Sequence, residues 1–145
     1  MSETTKHGEY HVFLSHSGPD TWVASQLSRE MSTRGATPFL DEASIHVGAR
    51  FEEDILSALD RAHELVVLFT PWALDRPYIW AELGAAWARR IPIVALLYGL
   101  AVAELQSRPG IPIFIKERDF VNLNEVGAYL SQLSDRVASW NGGVR

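Results

Sequence analysis

Apolar positions along this chain follow two alternating periods, one suited to strands and the other to helices. "YHVFLS" (10–15) is a short run rich in β-forming residues, closed by the small polar stretch "HSGPD". Over 20–34, Ala24, Leu27 and Met31 recur at helical spacing, with Asp20 placed as N-cap and Gly35 as the C-cap glycine. "ATPFL" (36–40) predicts a second strand, and Pro38, which has no N–H for a ladder, assigns it to a sheet edge. "DEASIHVG" (41–48) reads as a loop, after which Phe51, Ile55, Leu59 and Ala62 draw the stripe of a second helix. "ELVVLFT" (64–70) carries five consecutive apolar residues, the pattern of a strand buried on both faces. Pro77, at a first-turn position, opens a third helix over 77–90, with Ile79, Leu83 and Ala86 on one face. "IPIVALLYG" (91–99) predicts a fourth strand, "VAELQSRPG" a helical turn, and "IPIFI" (111–115) a fifth strand. A last amphipathic helix carries Leu123, Val126, Leu130, Leu133 and Val137, opened by an Asn122-x-x-Glu125 pattern resembling a capping box.

Strand–helix alternation repeated five times calls for a parallel sheet, because parallel strands need crossover connections. The expected fold is therefore α/β: a flavodoxin-like five-stranded parallel sheet of order 2-1-3-4-5 with helices on both faces. In such sheets ligands bind at the carboxyl ends of the strands. Those ends are "SHSGPD", "DEASIHVG" and "TPWALDRP" for the first three strands. The third helix places Glu82 near the same rim, in "PYIWAELGAAW" (77–87), a stretch otherwise almost wholly apolar.

Composition narrows the classes. At 145 residues the chain is expected to be one domain, 1–145, with its core over about 9–140. A net charge of -5 argues against a nucleic-acid partner, which needs a basic footprint. No cysteine is present, so disulfides and thiolate metal sites are excluded. The first ten residues are polar, and the longest apolar run, 91–103, holds 13 residues, too few to span a bilayer. A soluble, cytoplasmic domain without a membrane partner is the expectation.

The histidines (His7, His11, His16, His46 and His63) show no helical H-x-x-x-H pair, so no metal site is expected. His16 and His46 nonetheless fall in strand-end loops. No phosphate-cradling glycine motif and no nucleophile elbow occurs. The third strand ends in "LFTPW" without the aspartate a receiver domain would carry there. Ser15, Ser17 and the backbone N–H groups from Gly18 onward form the end of a strand and the start of a helix, a location that favours an anion such as a pyrophosphate. On a helical wheel Tyr78, Ala81, Glu82, Ala85 and Arg89 share one face, and Trp80 lies about 200° round from Tyr78. From spacing alone, Glu82 is either a functional carboxylate or a solvated one paired with a base such as Arg89, and Trp72 either lines the rim or packs.

"HVFLSHSGPD", "FLDEASIHVGARFEEDILSALDRAHELVVLFTPWAL" and "YIWAELGAAW" resemble, in this order and spacing, the Toll/interleukin-1 receptor (TIR) domain, particularly its bacterial members. The resemblance covers roughly residues 10–115 and implies the flavodoxin-like fold. It implies an enzyme that cleaves NAD+ at the nicotinamide–ribose bond, with Glu82 catalytic and NAD+ as substrate rather than cofactor. Ser15, His16, Ser17, Gly18, His46, Trp72 and Tyr78 are the nucleotide-binding positions so implied. Tyr78 stands where the family usually has Trp, and Thr70 where it usually has Ser. The alternative within the family is a non-catalytic adaptor acting by TIR–TIR association. Self-association and a separate effector responding to the product, as in anti-phage systems such as Thoeris, are the implied partners.

Overall fold

The computed structural model describes residues 8–40, 49–116 and 118–142. Five parallel strands form one sheet in the order β2-β1-β3-β4-β5. They are β1 (Tyr10–Ser15), β2 (Ala36–Leu40), β3 (Glu64–Phe69), β4 (Ile93–Leu97) and β5 (Phe120–Asn122). The helices are α1 (Thr21–Thr33), α2 (Ala49–Arg61), α3 (Pro77–Ala88), α4 (Val102–Ser107), α5 (Ile113–Lys116) and α6 (Val126–Gly142). This is the flavodoxin-like order expected from the alternation of elements.

Strand residues alternate between two apolar layers. Val12, Leu14, Val66, Leu68 and Leu96 pack against Ala24, Leu27 and Met31 of α1 and Leu130, Leu133 and Val137 of α6. Phe13, Leu65, Val67, Phe69 and Ala95 pack on the other face against Leu59 of α2 and Ile79, Leu83 and Ala86 of α3. All six residues of β3 are buried, which explains its unbroken apolar run. β2 is an edge strand, where Pro38 pairs only toward Val12. Gly35 ends α1 with φ +89°, a conformation open to glycine, and an added Cβ would lie 3.1 Å from Val137 Cγ1.

One expectation fails and another holds only in part. "IPIFI" is not a strand: Ile113–Lys116 forms a single helical turn, and the fifth strand is Phe120–Asn122. Ile111 and Ile115 are buried while Ile113 is 69% exposed, a helical i, i+4 pattern that a five-residue apolar run conceals. Asp20 does stand at the N-cap position of α1, as expected, but its carboxylate makes no capping bond there. The Asn122 side chain does accept a bond from the Asn124 N–H, but it caps a 3₁₀ turn, Leu123–Glu125, that precedes α6. Residues 41–48, expected to form a loop and including His46, lie outside the described residues.

Candidate active site at the β1 and β3 strand ends

Chain order reverses between β1 and β3, since β2 lies on one side of β1 and β3 on the other. The carboxyl ends of these two strands therefore open the crevice where such sheets bind ligands. Parity along β1 decides which side chains enter it. Phe13 faces the α2/α3 layer, so Ser15, two residues on, faces it as well. Pro77 begins α3 and brings Glu82 down the same side about one turn later.

Glu82 is 4% exposed, and its Oε1 accepts a 2.7 Å hydrogen bond from Ser15 Oγ. A carboxylate so removed from water requires donors, and the serine hydroxyl supplies one. Tyr78 is half-buried, and its hydroxyl donates to the His16 carbonyl at 3.0 Å, fastening the start of α3 to the segment after β1. Ala81 is exposed and Ala85 half-buried, so small side chains flank the carboxylate. Arg89 binds Asp60 at 2.8 Å, and the Arg89 pairing of a solvated Glu82 is not what forms. Trp80 turns away: its Nε1–H donates to the Leu74 carbonyl at 3.0 Å and its ring lies 5.5 Å from that of Phe69. Beyond Trp80 a cavity of about 250 Å³, lined also by Leu74, Arg108, Ile111 and Pro112, does not include Glu82.

The β1 end is polar, buried and internally bonded. Ser17 Oγ donates to Asp20 Oδ2 at 2.5 Å, and Thr70 Oγ1, at the end of β3, donates to the same oxygen at 2.5 Å. His16 Nδ1 lies 2.8 Å from the Ser17 carbonyl, which can only accept, so Nδ1 carries the hydrogen. His16 Nε2 is buried and has no hydrogen-bond partner among the described residues. Gly18 is partly exposed at the start of a 3₁₀ turn, Gly18–Asp20, that leads into α1. Trp72 is 54% exposed just beyond β3, so it does not serve as a packing residue.

The structure thus gathers Ser15, His16, Ser17, Gly18, Tyr78 and Glu82 around one strand end. Ser15 and Ser17 are fully buried and both spend their protons inward, so the surface offered to a ligand comes from their neighbours. From the sequence Asp20 is placed only as a cap. The one local signal was Ser17-x-x-Asp20, a spacing that lets the two side chains meet. Among the described residues no group of three or more His, Asp or Glu could hold a metal, and no helix is long and apolar enough to cross a membrane.

A family model described as TIR domain matches residues 12–133. The chain belongs to the TIR domain family. It is 34% identical over 98 residues to the probable 2' cyclic ADP-D-ribose synthase BdTIR of Brachypodium distachyon, covering 66% of this chain and 44% of that protein. It therefore spans less than half the length of that relative. The TIR domain of the Toll-related receptor TRR-2 from Hydra magnipapillata superposes with a TM-score of 0.62 at 19% identity, over 86% of this chain and 94% of that one. A metazoan TIR-STING receptor from C. gigas gives a TM-score of 0.65 at 18% identity, over 86% of this chain and 39% of that one. These structural likenesses establish the TIR fold.

Proposed function

We propose that this TIR domain cleaves NAD+ at the nicotinamide–ribose bond, with Glu82 as the catalytic carboxylate. The observation that carries the reading is the buried Glu82 held by Ser15 at the strand-end crevice. The name of the plant relative, a cyclic ADP-ribose synthase, supports the same chemistry. When the C1'–N bond breaks, its electron pair passes to the nicotinamide ring nitrogen and leaves an oxocarbenium-like ribosyl centre. A carboxylate beside that centre opposes its positive charge and can accept hydrogen bonds from the ribose hydroxyls. Tyr78 offers a π face to the cationic nicotinamide ring. Gly18 and the N–H groups that follow it would meet the pyrophosphate. Attack by water on C1', with loss of a proton, gives ADP-ribose; attack by a hydroxyl of the same molecule, again with loss of its proton, gives a cyclic ADP-ribose. In this reading the active form is self-associated, and the product signals to a separate effector, the arrangement of TIR proteins in anti-phage immunity.

Incubation of the purified protein with NAD+ should release nicotinamide. Glu82→Gln, which keeps shape and removes charge, should lower kcat/KM by about 10²-fold or more. Intact NAD+ after incubation with concentrated wild-type protein would sink the enzyme reading. A Glu82→Gln variant as fast as wild type would sink only the residue assignment. Mass spectrometry distinguishes the products, because ADP-ribose is heavier than a cyclic ADP-ribose by one water.

A further inference from the structure

We propose that Asp20 is a positioning residue of this site, one that clips the end of β1 to the end of β3 and thereby sets where Glu82 stands. The carboxylate lies immediately before α1, where an aspartate ordinarily caps the helix, yet it makes no capping bond. It is instead 5% exposed and takes both hydroxyl protons within reach, from Ser17 and from Thr70 fifty residues away. Its own N–H donates to the Ser17 carbonyl at 3.0 Å, so the 3₁₀ turn is closed from both backbone and side chain. Thr70 in turn accepts from the Ala73 N–H at 3.3 Å, which carries the connection into the turn that precedes α3. The segment held in this way contains Ser15, donor to Glu82, and His16, whose carbonyl receives the Tyr78 hydroxyl. Asp20 thus acts on the reacting centre at second hand, through two strand ends, and needs no contact with substrate.

The inference rests on the NAD+-cleaving reading for its kinetic test, and hydrogen exchange tests it without that reading. Asn keeps an oxygen that can accept both hydroxyls, whereas Ala keeps none. Asp20→Ala should lower kcat at least about 10-fold while KM moves less than about threefold, because misplacing a catalytic group by a fraction of a bond length acts on the chemical step. Asp20→Asn should recover kcat to within about threefold of wild type. Thr70→Val added to Asp20→Ala should cost nothing further, since the clip is already gone. The proposal is overturned if Asp20→Ala keeps kcat within about twofold of wild type, if Asp20→Asn is no better than Asp20→Ala, or if the Asp20 and Thr70 losses multiply. Amide exchange over 16–20 and 70–76 supplies the independent readout. It should accelerate in Asp20→Ala and stay slow in Asp20→Asn and wild type, and unchanged exchange in Asp20→Ala overturns the clip whether or not NAD+ is cleaved.

Discussion

In the proposed reaction Glu82 depends on a serine. Burial disfavours the ionised form of any carboxylate, and a donated hydrogen bond favours it. Ser15 is fully buried, so its hydroxyl serves Glu82 and presents no surface to a ligand. Ser15→Ala should therefore act on the carboxylate rather than on substrate affinity. With the donor removed, the carboxylate loses the contact that holds it in place, so kcat should fall by roughly 10-fold while KM moves little, with Ser15→Thr recovering much of the loss. Steady-state kinetics of NAD+ cleavage measure both. A variant whose kcat is kept and whose KM alone rises would return Ser15 to the role of a ligand contact.

At the scale of elements, what the sequence disclosed depends on how far away each residue's partner lies. Gly35 is legible because its reason is local: a left-handed residue ends α1, and only glycine enters that conformation without strain. Gly35→Ala adds strain and a Cβ 3.1 Å from Val137 Cγ1, so it should destabilise the fold by about 1–3 kcal/mol, seen as a lower urea midpoint. An unchanged midpoint would mean that the α1–β2 turn relaxes freely away from α6. The β3 run was equally plain, because five apolar residues in a row have nowhere to go but a two-sided interior. "IPIFI" misled because a short apolar run has no period of its own, and the true β5 is three residues, two half-buried and one exposed, too brief to show one. In the site, Glu82 stood out as a carboxylate in an apolar helix, yet spacing alone could not separate it from a solvated glutamate. Neither could local pattern reveal that Asp20 leaves its cap for Thr70, or that Trp80 is turned toward Leu74 and Phe69. Those outcomes are decided by residues brought together only when the sheet closes.

Over the whole molecule the two ends of the sheet carry different work. The carboxyl rim bears the crevice, while the opposite rim is fastened around Glu64, the first residue of β3, which is 2% exposed. Its carboxylate accepts from the Tyr10 hydroxyl at 2.6 Å, the Tyr129 hydroxyl at 2.5 Å and Arg136 at 2.8 and 3.1 Å, tying β1 and α6 to the centre. Burial and the adjoining carboxylate raise both phenols, so neither ionises in ordinary conditions. Beside them His63 stacks on Tyr10 at 4.9 Å and meets Trp140 edge-on at 4.3 Å, and its Nδ1 accepts the His11 N–H at 2.9 Å. Burial, then the nearby His11, lowers the His63 pKa, against the opposing pull of Glu64. The unfolded chain therefore binds a proton at this residue before the folded one does, and stability rises with pH across the gap between them. The contribution is whole above the unfolded value of about 6.5 and drains away as pH falls toward the lower folded value. Asn at this position can still accept the His11 N–H but does not titrate, so His63→Asn should flatten the fall in unfolding free energy between about pH 7 and pH 5. Urea unfolding across that range measures the slope, and a slope as steep as wild type would assign the acid sensitivity elsewhere. Because the residue lies at the rim away from Glu82, the proposed NAD+ cleavage should be left as it was at neutral pH, which separates the fastening of the fold from the working of its crevice.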